Sequence, residues 1–213
     1  MTNYTKPNFT PSAVITIDTQ CDTLDGQPLE ILGTSAAIPK IKRILDLYRK
    51  KKMPIVHIVR IYKKDGSNAD LCRREAIEKG AKILLEGSSG CELASDMFRE
   101  KKIKLDFDLL LSGKIQKINN YEVIMYKSRW GAFYNTPLES YLKAQGVDTL
   151  IFLGCNFPNC PRTSIYEASE RDFRIILVED AVSGLYSKGK KELLNIGVKI
   201  LDTQAIEEAI NAI

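Results

Sequence analysis

Short apolar runs rich in β-branched residues recur along the chain, with helix-patterned stretches between them. This alternation constrains the fold more than any other feature of the sequence. The runs fall at 13–17 (AVITI), 54–61 (PIVHIVRI), 122–126 (EVIMY), 149–154 (TLIFLG), 174–178 and 198–201. They are apolar on consecutive residues rather than on alternate ones, as expected of strands buried on both faces of a parallel sheet. Between them, 35–52 carries Ile38, Ile41, Ile44, Leu45 and Tyr48 on one helical stripe, with Pro39 placed in its first turn. Further helices are predicted at 71–79 (closed by Gly80), 137–144 (capped by Thr136), 160–172, 187–195 and 203–213. The expected fold is α/β: three αβα layers around a mostly parallel six-stranded sheet, in one domain over 1–213 with a flexible polar segment at 1–12. The stretch 80–116, with its charged run from Glu100 to Lys104, reads as irregular. It either shapes a pocket or is a plain surface loop.

Several function classes are disfavoured by composition. The formal net charge is +4, and the basic residues are scattered. The densest run, Arg49-Lys50-Lys51-Lys52, ends a predicted helix, where cations complement the helix dipole, so no nucleic-acid partner is expected. No apolar stretch approaches the ~20 residues of a membrane span, and the first twelve residues hold no signal-peptide core. Five cysteines at irregular spacing make no disulfide framework and suit a reducing cytoplasm. The sole histidine, His57, falls in mid-strand and reads as a satisfied core residue, so neither a metal site nor any other cofactor is expected.

Ligands of such sheets bind beyond the carboxyl ends of the strands, which directs attention to the polar residues there. The first strand runs into Asp18, the third into Lys127, and the fourth into Gly154-Cys155-Asn156-Phe157-Pro158-Asn159-Cys160-Pro161. Topology thus brings an acid, an ammonium and a thiol to one rim. Pro161 suits the first helical position and puts Cys160 at the N-cap, where free amides and a nearby lysine would stabilise a thiolate nucleophile. Each residue also has a plain reading: Cys160 as a small turn filler, Asp18 as an Asx-turn, and Lys127 with Arg129 as a solvated loop. Cys155 reads as a small hydrophobe closing a buried strand, and Cys21, Cys72 and Cys91 as packing or surface residues. With histidine excluded, Asp18 is the available base and Lys127 the available cation.

Taken together, AVITID with Gln20 two residues later, the segment from Lys127 to Phe133 (KSRWGAF), Thr136-Pro137-Leu138, Gly154 six residues before Cys160, and Glu179-Asp180-Ala181 resemble the isochorismatase-like cysteine hydrolases. The resemblance implies that fold, a homo-oligomer and a small-molecule substrate. It implies Cys160 as nucleophile, Asp18 as the group that moves its proton to the leaving group, and Lys127 as their electrostatic partner. It also implies a cis peptide at Cys155–Asn156 that aims the amides of Asn156 and Cys160 at an oxyanion. Trp130, Phe133 and Phe157 are candidates to line the pocket, with Asn156 as a polar contact. The turn departs from the family's usual small residues at Phe157-Pro158. The stretch after the second strand, Arg60-Ile61-Tyr62-Lys63-Lys64-Asp65, lacks the histidines of the nicotinamidase zinc pattern. The expected reaction is cleavage of an amide or carbamoyl C–N bond. The alternatives are vinyl-ether hydrolysis of the isochorismatase type and a catalytically silent oligomeric scaffold of the same fold. A flavodoxin-like nucleotide binder is disfavoured, because 19–25 holds no glycine.

Overall fold

The computed structural model describes residues 3–98 and 103–213. Its strands are β1 (Ser12–Ile17), β2 (Ile55–Val59), β3 (Gln116–Lys117), β4 (Glu122–Tyr126), β5 (Thr149–Gly154), β6 (Arg174–Val182) and β7 (Lys199–Leu201). The helices are α1 (Thr34–Lys51), α2 (Leu71–Glu78), α3 (Phe107–Leu111), α4 (Leu138–Ala144), α5 (Cys160–Ser169), α6 (Ser187–Asn195) and α7 (Thr203–Asn211). The sheet has the order β3-β4-β2-β1-β5-β6-β7 and is parallel except at β3. Among the described residues it therefore has seven strands where six are expected. The extra one is a two-residue edge pairing with β4, too short to leave a hydrophobic pattern.

Strand periodicity divides the core in two. Val14, Ile55, Val59, Ile151, Leu153, Ile176 and Val178 face α1 and α7, while Ile15, Ile17, Val56, Ile58, Leu150, Phe152 and Leu177 face α4, α5 and α6. Apolar residues at odd and even positions alike are thus what a sheet covered on both faces requires. The polar strand residue His57 is fully buried and satisfied at both nitrogens, accepting at Nδ1 from Thr16 Oγ1 (2.8 Å) and donating from Nε2 to Glu122 (2.9 Å). Burial lowers its pKa and keeps it neutral, so Arg49 is the cation that compensates the Glu122 carboxylate at 2.7 Å.

Several boundaries move by a few residues. Pro39 lies six residues into α1, in its second turn rather than its first, because the helix starts at Thr34 after the left-handed Gly33. The stretch 80–116 is mostly irregular but holds two 3₁₀ turns, Ser89–Cys91 and Ser95–Met97, together with α3. Glu100 and its neighbours at 99–102 in the charged run lie outside the described residues. Near the N-terminus, Asn8 donates to Thr149 Oγ1, and the Pro11 carbonyl accepts from Asp148. Among the described residues no helix is long and apolar enough to cross a membrane.

Candidate active site

The chain leaves β1 toward β2 on one side and continues from β5 on the other, so the switch in strand order lies between β1 and β5. Asp18 immediately follows β1, and its backbone is left-handed (φ 50°), a conformation aspartate tolerates better than most residues. Its carbonyl accepts from Gln20 N, Thr23 Oγ1 and Cys155 Sγ, which turns the side chain out at the rim. Close passage of β5 demands glycine at 154: its φ is +112°, and a Cβ there would lie 2.2 Å from the Ile17 carbonyl oxygen. The turn that follows contains the cis peptide Cys155–Asn156, as the resemblance implies. It is fastened by Phe157 N to Ser183 O and Ser183 N to Gly154 O.

The three groups expected at one rim meet there. Lys127 Nζ donates to Asp18 Oδ2 at 2.8 Å and to Cys160 Sγ at 3.3 Å. The Lys127 side chain is fully buried and the Asp18 side chain is 9% exposed, so the pair is screened from water. Asp18 Oδ1, Thr19 Oγ1 and Arg60 Nη1 are the buried side-chain polar atoms lacking a hydrogen bond among the described residues. Cys160 is the first residue of α5, with Asn159 rather than Cys160 as the cap. Its thiol is not the depressed one expected at a helix start beside a lysine. Burial, with the Asp18 carboxylate adding to it, pushes the thiol up to about 11 and outweighs the opposing pull of Lys127. At rest Cys160 is therefore a thiol beside a carboxylate.

Asp18 and Cys160 open on a cavity of about 250 Å³, small beside the ~300–1,000 Å³ of most ligand pockets. Trp130, Asn156, Asn159, Thr23 and the loop residues Leu29 and Ile31 also line it. Two of the expected lining residues are elsewhere. Phe133 packs on Phe173 beneath the Arg171 guanidinium, and the fully buried Phe157 packs edge-on against Tyr186. Both belong to the core beneath α4, α5 and α6, where their apolar area is removed from water. Residues not singled out from sequence complete the wall: Arg60, Tyr62, Asp70 and Arg73, from the end of β2 and from α2. Arg60 follows β2 as Asp18 follows β1, so the strand-end rule applied there identifies it. Among the described residues no group of three or more His, Cys, Asp and Glu is arranged to hold a metal ion.

Comparison with known proteins places these residues in context. The isochorismatase domain matches residues 108–204. A protein of Arabidopsis thaliana described as a "probable inactive nicotinamidase" is 26% identical over 196 residues, 88% of this chain and 90% of its own length. The N-carbamoylsarcosine amidase of an Arthrobacter species is 23% identical over 207 residues, covering 94% of this chain and 72% of the amidase. Further curated relatives at 30–34% identity match over 42–43% of this chain and only 36–50% of their own length. The crystal structure of an isochorismatase family protein from Desulfovibrio vulgaris has the same fold, with a TM-score of 0.79 at 24% identity over 94% of this chain and 98% of that one.

Proposed function

We propose that the chain is an isochorismatase-like hydrolase that cleaves an amide or carbamoyl C–N bond of a small molecule through a thioester on Cys160. The observation that carries this reading is the single ammonium of Lys127 in contact with both Asp18 and Cys160 at the mouth of one small cavity.

The chemistry follows from the resting state. Cys160 is protonated, so a base must take its proton as the sulfur attacks the carbonyl carbon. Asp18 is that base, with Oδ2 held by Lys127 and Oδ1 unpartnered. The attack forms the S–C bond and moves the carbonyl electron pair onto oxygen, toward the amides of Asn156 and Cys160. Asp18 then returns the proton to the departing nitrogen as the C–N bond breaks, leaving the acyl group on sulfur. Water attacks the thioester with Asp18 again accepting a proton, and the thiol re-forms as the acid leaves. Lys127 keeps a positive charge beside the carboxylate and the sulfur throughout, where a low local dielectric strengthens its influence.

The word "inactive" in the description of the Arabidopsis relative favours a second reading, a silent protein of the same fold. One experiment separates the two. A panel of small amides and carbamoyl compounds is assayed for ammonia release by the wild type and by Cys160→Ala, with mass spectrometry of the quenched reaction. Release that the variant loses, with an acyl adduct on the Cys160 peptide, is the expected result. Hydrolysis that persists in Cys160→Ala, or no turnover and no adduct across the panel, would overturn the proposal.

A further inference from the structure

The helix that begins with Cys160 also grips the segment that follows Lys127. From Ser128 to Pro137 the chain forms neither helix nor strand. Within that stretch the one backbone-to-backbone hydrogen bond among the described residues is long, from Thr136 N to Phe133 O at 3.5 Å. Gly131, Ala132 and Phe133 are nevertheless buried, and buried amides need acceptors. These come from α5. The fully buried Ser164 accepts at Oγ from Ala132 N at 3.0 Å, and Glu167 Oε2 accepts from Phe133 N at 2.8 Å.

The same serine reaches back to the thiol-bearing residue. Ser164 Oγ donates to the Cys160 carbonyl at 2.7 Å, one helical turn away, so a single hydroxyl joins Cys160 to Ala132. Cys160, Ser164 and Glu167 share one helix face, being spaced i, i+4 and i+7. The loop approaches that face closely: a Cβ on Gly131 would lie 2.2 Å from the Glu167 carboxylate, so glycine is required there. At the lysine itself, Lys127 N donates to Val59 O at 3.0 Å. The chain is thus fastened to β2 at Lys127 and to α5 a few residues on, with Trp130 held between the two on the cavity.

We propose that Ser164 and Glu167 are positioning residues: by receiving two successive amides of the lysine loop on the helix that starts at Cys160, they hold the Lys127 ammonium against the sulfur. This rests on the reading of Cys160 as the nucleophile. Neither residue touches the reacting atoms. Each acts through the backbone, so that sulfur and ammonium keep their 3.3 Å contact as one rigid unit. A displacement of about 1 Å in such a constellation costs on the order of 100-fold in rate, which is the scale the clamp guards against.

The test compares Ser164→Ala and Glu167→Ala, which delete the acceptors, with Ser164→Thr and Glu167→Gln, which keep them. All are measured at a temperature where circular dichroism shows each variant folded. The first readout needs no turnover: the rate at which iodoacetamide alkylates Cys160 at pH 9, followed by mass spectrometry of its peptide, with the exposed Cys72 as internal control. A sulfur that loses its ammonium holds less thiolate, so Ser164→Ala is expected to slow Cys160 at least fivefold and Glu167→Ala about threefold, with Cys72 unchanged. The conservative pair is expected to stay within twofold of the wild type. The second readout is hydrolysis of any amide the wild type cleaves: Ser164→Ala is expected to lower kcat at least tenfold with KM within threefold. Glu167→Ala, at a half-buried position, stands in if Ser164→Ala does not fold. A Cys160 rate in the alanine variants equal to or above that of the wild type would overturn the clamp whatever happens to Tm, and with Cys160-dependent hydrolysis intact would leave the proposed function standing. Slowed alkylation restored by the conservative variants, with no amide hydrolysed by the wild type, would do the reverse. Equal losses in Ser164→Ala and Ser164→Thr, or a loss shared by Cys72, would also overturn the clamp.

Discussion

Replacing Lys127 by methionine keeps most of the side-chain volume and removes the ammonium that joins Asp18 to Cys160. Lys127 is fully buried and its Asp18 partner 9% exposed, with 2.8 Å between Nζ and Oδ2. At that distance and an effective dielectric of about 20, the attraction is about 6 kcal/mol before the cost of removing both ions from water. Breaking a buried pair by deleting one member leaves an uncompensated charge and costs about 3–5 kcal/mol. For a chain of this length that is a fall in Tm of roughly 6–20 °C at pH 7. Urea denaturation followed by the fluorescence of Trp130, the sole tryptophan, reads the same quantity as a free energy. The double variant Asp18→Asn/Lys127→Met removes both charges and is expected to be at least ~1.5 kcal/mol more stable than the sum of the two single effects predicts. A Lys127→Met protein within 2 °C of the wild type, or strict additivity in the double variant, would refute the buried pair and with it the proposed role of Asp18 as base.

Three other outcomes follow. The Glu122 carboxyl must overcome its own burial, and hydrogen bonds from His57 and Arg49 hold it down at about 2. A depressed acid contributes stability above its unfolded pKa that is lost as pH falls, so about 3 kcal/mol disappears between roughly pH 4.5 and 2, and Glu122→Gln flattens the acid limb of a Tm–pH series. Because the Cys160 thiol is raised to about 11, its alkylation by iodoacetamide climbs through pH 8–10 without a plateau; a plateau below pH 8 argues against the buried thiol. Gly154→Ala sets a Cβ against the Ile17 backbone at positive φ and is expected to destabilise by ~3 kcal/mol or more, read as lost soluble yield or a Tm drop above 6 °C.

The sequence displayed what repetition and topology encode. Runs such as 149–154 and 122–126 declare themselves because residues of both parities are apolar, and both face cores in the structure. The ends of those strands then pointed to Asp18, Lys127 and Cys160, which converge on one contact set. What stayed hidden depended on distances that no spacing records. The edge strand at Gln116–Lys117 is two residues long. Phe133 and Phe157 stand beside the site in sequence but point into the core, a choice made by their packing on Phe173 and Tyr186. Arg60 is visible as the residue after β2, whereas its burial and its unmet N–H are not. The raised thiol pKa is hidden for a related reason: a helix start and a lysine are visible in sequence, whereas the desolvation that outweighs them is not.

That imbalance bears on how the site works. A cysteine nucleophile with a depressed pKa holds a standing thiolate and reacts with any electrophile that reaches it. In the proposed reaction Cys160 instead keeps its proton at rest, and its sulfur becomes nucleophilic as Asp18 removes that proton. Proton transfer and attack are then coupled, and a ligand that orients its carbonyl over the sulfur gains more than a small reagent that merely diffuses in. General thiol reactivity is accordingly a poor guide to this site. The exposed Cys72 is expected to be labelled ahead of Cys160 at neutral pH even though it forms no part of the Asp18–Lys127–Cys160 contact set.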